Sequence, residues 1–299
     1  MRPPSLLVVL DSWQLSASVM LTLALGAALY LVAARRVCGR ARPGRMGWSL
    51  PRTLAFLAGL GAVALALQSG LDTYSAQLLS MHMVQHLVLV LTAAPLLLAG
   101  APVTLALRAL SPPARRRLMP LLHGRTARTL ARPGVGLLAI GASMLLTHLT
   151  PLFGLALTHP LIHQGEHLLY LVGGMLFWSV LIPPGPAVRR LDGLGQVVYL
   201  LLGMPLMSVV GVILETDSAP RYPQYLPTAH RLGVSALSDQ RLAGALMWIA
   251  GTLLMGVIAL AAAWRSMLAE ERREAAREAH ADRRDGQPAG GEIVTGGTA

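Results

Sequence analysis

Two histidine pairs are the residues best placed to do chemistry in this chain. Met81-His82-Met83-Val84-Gln85-His86-Leu87 sets two imidazoles four residues apart inside an apolar run, and Ile162-His163-Gln164-Gly165-Glu166-His167-Leu168 repeats the arrangement. Aligned, both read apolar-His-x-x-Gln/Glu-His-Leu, offset by 81 residues from His82 to His163. Pro102 and Pro183 keep the offset, each 20 residues beyond the first histidine of its copy. On a helix, residues i and i+4 share a face with Cβ atoms about 6 Å apart, and i+3 lies on the same side. Each copy therefore lines up two imidazoles and one amide or carboxylate. The shared pattern predicts two parallel helices packed with His82, His86, His163 and His167 facing one another.

Neutral imidazole suits copper, zinc and iron, and thioether favours Cu(I). Axial histidines from two helices can also hold haem, although a haem needs one histidine per helix and each run supplies two. Four histidines so stacked could hold two haems or one to two metal ions. Glu166 is the only acidic residue deep within any apolar run, and a carboxylate there must face a partner or a wet cavity. It could ligate a metal or orient an imidazole from behind; the second is the expectation here, because a carboxylate accepting an imidazole N–H fixes the tautomer and raises ligand basicity. The string from His163 to His167 also matches the H-x-x-E-H of inverted zinc peptidases, in which two histidines bind zinc and the Glu activates water. Against that reading, Gln85 occupies the Glu position of the sister copy and cannot serve as a base. Gln85, His148, His159, Met83 and Asp72 are candidates for further ligands or supports. A lone intramembrane histidine can equally bond a neighbouring helix, and methionine is a common packing residue. Cys38 is the single cysteine, which excludes thiolate clusters and an intrachain disulfide.

The elements that must position these residues are membrane helices. Of 299 residues, 54% are hydrophobic and 13% charged, and the mean hydropathy is +0.56, a profile of multi-spanning membrane proteins. Seven runs are long enough to cross a bilayer: about Leu15 to Ala34, Thr53 to Gly70, Tyr74 to Ala99, Gly134 to Pro151, Pro160 to Ile182, Leu194 to Leu214, and Leu242 to Trp264. Every one of the 25 basic residues is Arg; 21 lie in the segments after the first, third, fifth and seventh runs and only 4 in the alternate set. By the positive-inside rule the N-terminus is outside and the C-terminus cytoplasmic. The net charge of +11 is thus topology and contact with the lipid bilayer, not a nucleic-acid surface. The N-terminus does not read as a signal peptide, since Arg2 is its only early positive charge, Asp11 interrupts its first apolar stretch, and the run from Leu15 to Ala34 is long enough to span; it reads as a retained first helix. The expected fold is an all-α integral membrane seven-helix bundle over residues 1–264, followed by a charged cytoplasmic tail, 265–299, with a disordered Gly-rich end.

With that topology, depth follows from a rise of 1.5 Å per residue: His82 and His86 lie roughly 12 and 18 Å inward, His163 and His167 roughly 5 and 10 Å. His148 ends the fourth run and His159 begins the fifth, so six of nine histidines converge on the outer half of the membrane. Asp72, Glu215, Asp217 and Asp239 are placed at or beyond the outer ends, where they would draw a cation inward.

The run His82-Met83-Val84-Gln85-His86 through Ala94-Pro95 to Gly100-Ala101-Pro102, preceded by Leu71-Asp72-Thr73-Tyr74, resembles the signature of CtaG-type cytochrome c oxidase assembly factors. So do His159-Pro160, Glu166-His167, Phe177-Trp178, and Asp239-Gln240-Arg241-Leu242-Ala243-Gly244 leading to Met247-Trp248. The resemblance covers roughly Leu71 to Trp264. It implies a non-enzymatic seven-span protein of the bacterial inner membrane, needed to make an active haem-copper oxidase, with cytochrome c oxidase subunits as partners and copper supply as its presumed role.

Overall fold

The computed structural model describes residues 12–40, 47–183 and 191–285, and within these regular structure is helical throughout. The Arg189–Arg190 pair and the Gly-rich end after Asp285 fall outside the described residues. Helix α1 is Ala17–Gly39 and α2 is Leu50–Gln68. A short α3, Gly70–Ser75, precedes α4, Leu79–Leu87, which passes through a π-helical turn, Val88–Ala93, into α5, Ala94–Ala99, and α6, Pro102–Ala109. Pro95 has no N–H to return to the preceding turn, and the widened turn absorbs its ring: Ala94 N–H donates instead to Leu89 O, five residues back.

Short α7, Pro112–His123, and α8, Arg125–Leu130, bury no residue. Helix α9 is Pro133–His148; the chain bends by 71° at Thr150–Pro151 into α10, Leu152–Thr158, then enters α11, Pro160–Ser179. Helix α12 is Gly193–Thr216, and after α13, Leu226–Arg231, a single helix α14 runs Ala236–Asp285. The charged stretch after Trp264 is therefore no separate helix but the continuation of the last apolar one.

Five helical stretches are long and apolar enough to cross a membrane, or six if α9 and α10 are one bent span. The expected seventh, α11, has the length, at 20 residues, but His163, Gln164, Glu166 and His167 crowd its first two turns and lower its hydropathy. The outward faces are apolar, as lipid contact demands: Leu21, Leu138, Leu253 and Leu260 are all more than 60% exposed. Inside, close crossings rely on absent side chains. A Cβ on Gly174 would lie 3.1 Å from Ala94 Cβ and 3.2 Å from Val90 Cα, so α11 packs hard against the π turn that follows the first histidine pair. Trp178 Nε1 donates to Val90 O at 2.8 Å at the same crossing. Helices α12 and α14 meet through Gly211 and Gly244, where a Cβ on Gly211 would stand 2.7 Å from Gly244 O.

Candidate metal centre

Helices α4 and α11 do present their histidine stripes to each other. The ring centroids of His82 and His163 are 5.3 Å apart, those of His86 and His167 6.2 Å, and within each pair 4.4 and 4.2 Å. Glu166 lies in the middle. Its Oε2 is 3.6 Å from both His82 Nε2 and His163 Nδ1, and its Oε1 is 3.9 Å from His86 Nε2. Helix α11 thus carries position 166 into the gap between the two pairs, where its carboxylate can either orient the imidazoles or join them as a donor.

The cluster is deeply buried and polar, yet short of hydrogen bonds. His82, Gln85 and His86 are essentially inaccessible, and Glu166 and His167 are buried. Both ring nitrogens of His82 and of His86, both oxygens of Glu166, His148 Nε2, His163 Nδ1 and His167 Nε2 have no hydrogen-bond partner. Each such orphan costs about 1–3 kcal/mol, and native proteins carry only a few per hundred residues. So many in one place call for something that accepts lone pairs.

Gln85 does not mirror Glu166. Its Nε2 donates to Ala66 O and to Asp72 Oδ1, each at 2.9 Å. The amide of the first copy thus reaches backward to α3 and fixes a carboxylate there. Donor atoms of Asp72, His163 and His167 lie within 4.8 Å of one another, and so do those of His82, His86 and Glu166. Two sets result, each with two imidazoles and one carboxylate.

His148 joins from the bend between α9 and α10. Its Nδ1 is 3.1 Å from Met144 O, 2.9 Å from Thr147 Oγ1 and 3.0 Å from Tyr170 Oη. A carbonyl can only accept, so the proton belongs on Nδ1 and the Nε2 lone pair is left free; the His148 ring lies 5.7 Å from His86. His159 is different: it is exposed at the start of α11, with Nδ1 against Thr158 Oγ1 at 2.9 Å, and stays outside the cluster. Met83 and Met207 are packed in the main apolar core.

Other parts of the site were not singled out from sequence. Tyr170 stacks on His86 at 3.8 Å and its hydroxyl lies 2.6 Å from Thr147 Oγ1; it extends the α11 stripe His163, Glu166, His167 by one further step of three. Phe153, carried by the bend, packs against His82 at 4.9 Å and His148 at 5.1 Å. Beyond it, Tyr222 Oη donates to His148 O and Tyr225 Oη to Ser75 O, both at 2.9 Å, so the segment after α12 closes this end of the bundle. Burial pushes the Tyr222 hydroxyl above its usual pKa, which keeps it a neutral donor. Asp239, expected as an exposed lure for cations, is buried instead: its carboxylate accepts from Leu79 N at 2.6 Å, Ser80 N at 3.4 Å and the Ser80 hydroxyl, capping α4 one turn before His82.

The profile of the cytochrome c oxidase caa3 assembly factor family matches residues 28–268. Uncharacterised proteins of Mycobacterium bovis and Mycobacterium leprae are 31% and 30% identical, over 94% of this chain and 43% of theirs. The chain thus spans less than half the length of these relatives. No solved structure matches it. The buried histidines lie inside the matched region, and the chain belongs to the cytochrome c oxidase caa3 assembly factor family.

Proposed function

We propose that this chain is a bacterial inner-membrane assembly factor that binds copper in the cluster between α4 and α11 and supplies it to a haem-copper cytochrome c oxidase. One observation carries the copper reading: the concentration of unpartnered imidazole nitrogens and carboxylate oxygens around Glu166 in an apolar bundle. His82, His86, His163 and His167 would hold the ion with Glu166 among the donors, and imidazole with carboxylate suits a divalent ion of the copper or zinc kind. Bound there, copper would be cargo kept from water and from reductants. Gln85, Tyr170 and Thr147 orient donors, and Tyr222 and Phe153 close the end of the site. Haem fits less well, since it takes one axial histidine from each helix, whereas each helix here presents two, with the Glu166 carboxylate set between the pairs. The His82, His86 and Glu166 set matches the donors of some zinc enzymes, and there Glu166 would be a ligand rather than a free base. The family is one of assembly factors, which favours a non-catalytic role.

In this reading α11 is also a span, its polar turn shielded by α4 and α9, giving seven spans with the N-terminus outside. Reporter fusions after Arg52 and after Asp217 should then report opposite sides; matching signals would remove that topology. The functional test is the metal content and colour of purified protein, with oxidase maturation followed in the same strains. Stoichiometric copper that disappears in a His82→Ala, His163→Ala variant is the expected outcome. A Soret band, or zinc in place of copper, would overturn it.

A further inference from the structure

We propose that the cluster holds two ions rather than one: a sheltered ion on His82, His86 and Glu166, and an exchangeable ion on Asp72, His163 and His167, with Glu166 touching both. This deepens the copper reading above and rests on it.

Donor number is the first argument. Counting His148, seven side chains offer a donor atom, more than the four to six that one such ion accepts. Six of them fall into two sets of three, within each of which the donor atoms lie within 4.8 Å of one another, and His148 stands beside His86. Ligand bonds of about 2.0–2.2 Å can close that spread with small side-chain shifts. The carboxylates are divided as well, one to each set, which halves the charge that either ion must leave uncompensated.

The two sets differ in access. His82, His86 and Glu166 are all buried, whereas Asp72 is half-buried and the His163 side chain is 22% exposed. An ion arriving from solvent meets Asp72 and His163 first. Glu166 Oε2, 3.6 Å from His163 Nδ1 and 3.6 Å from His82 Nε2, then stands between the sets, so an ion can change partners without losing every protein ligand. Carboxylate-linked ion pairs of this kind sit about 3.5–4 Å apart.

Asp72 owes its place to Gln85. The amide at position 85 binds Asp72 instead of entering the gap, so the second carboxylate is supplied from α3. Without a ligand role for Asp72, a buried glutamine holding a half-buried carboxylate beside two histidines serves no evident purpose.

The test is titration of purified full-length protein with Cu(II), followed by release to excess EDTA. Wild type should bind two equivalents, one leaving at least ten times faster than the other. Asp72→Asn keeps the acceptor for Gln85 Nε2 and should bind one equivalent only, the slow one. Gln85→Leu, which neither removes a donor from either set nor adds one, should speed or abolish the fast equivalent and spare the slow one. Saturation of wild type at one equivalent, or two equivalents retained by both variants, would overturn the two-ion proposal while leaving copper binding intact. No copper bound by wild type would overturn the copper reading itself, and the proposal with it.

Discussion

Asp239 touches none of the candidate ligands, yet the structure makes it responsible for where the first of them stands. Helix α4 begins at Leu79 with no side chain of its own to cap it, and Asp239 of α14 accepts from Leu79 N, Ser80 N and the Ser80 hydroxyl. Asp239→Ala leaves these donors buried. The hydroxyl can rotate toward another acceptor and Ser80 N is already distant at 3.4 Å, so the Leu79 N–H dominates the loss. One full orphan with partial losses at the other two gives about 3 kcal/mol, at about 1–3 kcal/mol for each buried unsatisfied group. For a chain of 299 residues, at about 2.1 cal/mol/K of unfolding entropy per residue, that corresponds to a melting point lower by about 5 °C. Asp239→Asn keeps an oxygen facing the same N–H groups and loses only the charge assistance, so its shift should be less than half as large, about 1 kcal/mol. Thermal unfolding in detergent, followed by ellipticity at 222 nm at a fixed scan rate, gives both values, and copper stoichiometry on the same samples reads the site. The expected order is wild type, Asn, Ala in both measurements. Equal melting of Ala and wild type, or an Asn variant as damaged as Ala, would show that Asp239 does not set the start of α4.

Tyr170→Phe keeps the ring stacked on His86 and removes the hydroxyl beside His148 Nδ1 and Thr147; metal affinity should fall about tenfold, the lower end of what an outer hydrogen-bond partner is worth, with melting little changed. Wild-type affinity would mean that His148 is not a ligand. Gly174→Ala forces α11 from the π turn by a few tenths of an ångström and should cost about 1–3 kcal/mol of stability, read as a lower melting point, with weaker copper binding because the histidine pairs separate. His159→Ala should leave copper stoichiometry at the wild-type value, since that ring faces outward; a lost equivalent would put His159 in the site after all.

The histidine pairs were legible in the sequence because i, i+4 spacing on a helix is a local property that packing cannot undo. Their mutual approach followed from the repeated pattern. What stayed hidden depends on contacts between distant segments. Asp72 was among the candidates, but its hydrogen bond from Gln85 depends on the turn at Ala76–Leu78 and on the backward reach of the amide, which spacing alone does not show. Asp239 meets Leu79 across 160 positions, which no periodicity announces. His148 and His159 looked equivalent, each at the end of an apolar run; the bend at Pro151 turns the first inward and leaves the second exposed. The count of spans was blurred by the site itself, since hydropathy falls in the helix that carries the most donors.

The divergence of the two copies has a physical cause. Were position 85 a glutamate, its carboxylate would face Asp72 at about the 2.9 Å now spanned by the amide, and two like charges at that separation cannot both stay ionised. If instead it turned into the gap, it would confront Glu166 among buried imidazoles, with the same conflict. An amide avoids both outcomes: it donates to Asp72, satisfies Ala66 O, and lets one carboxylate serve each triplet of donors. The sister motif can keep its acid because, among the described residues, the groups facing Glu166 are the imidazoles of His82, His86 and His163. The repeat therefore places four imidazoles with near symmetry, and the break in it at Gln85 and Glu166 decides where the two negative charges lie. One is sheltered inside the bundle and the other is at its more accessible edge.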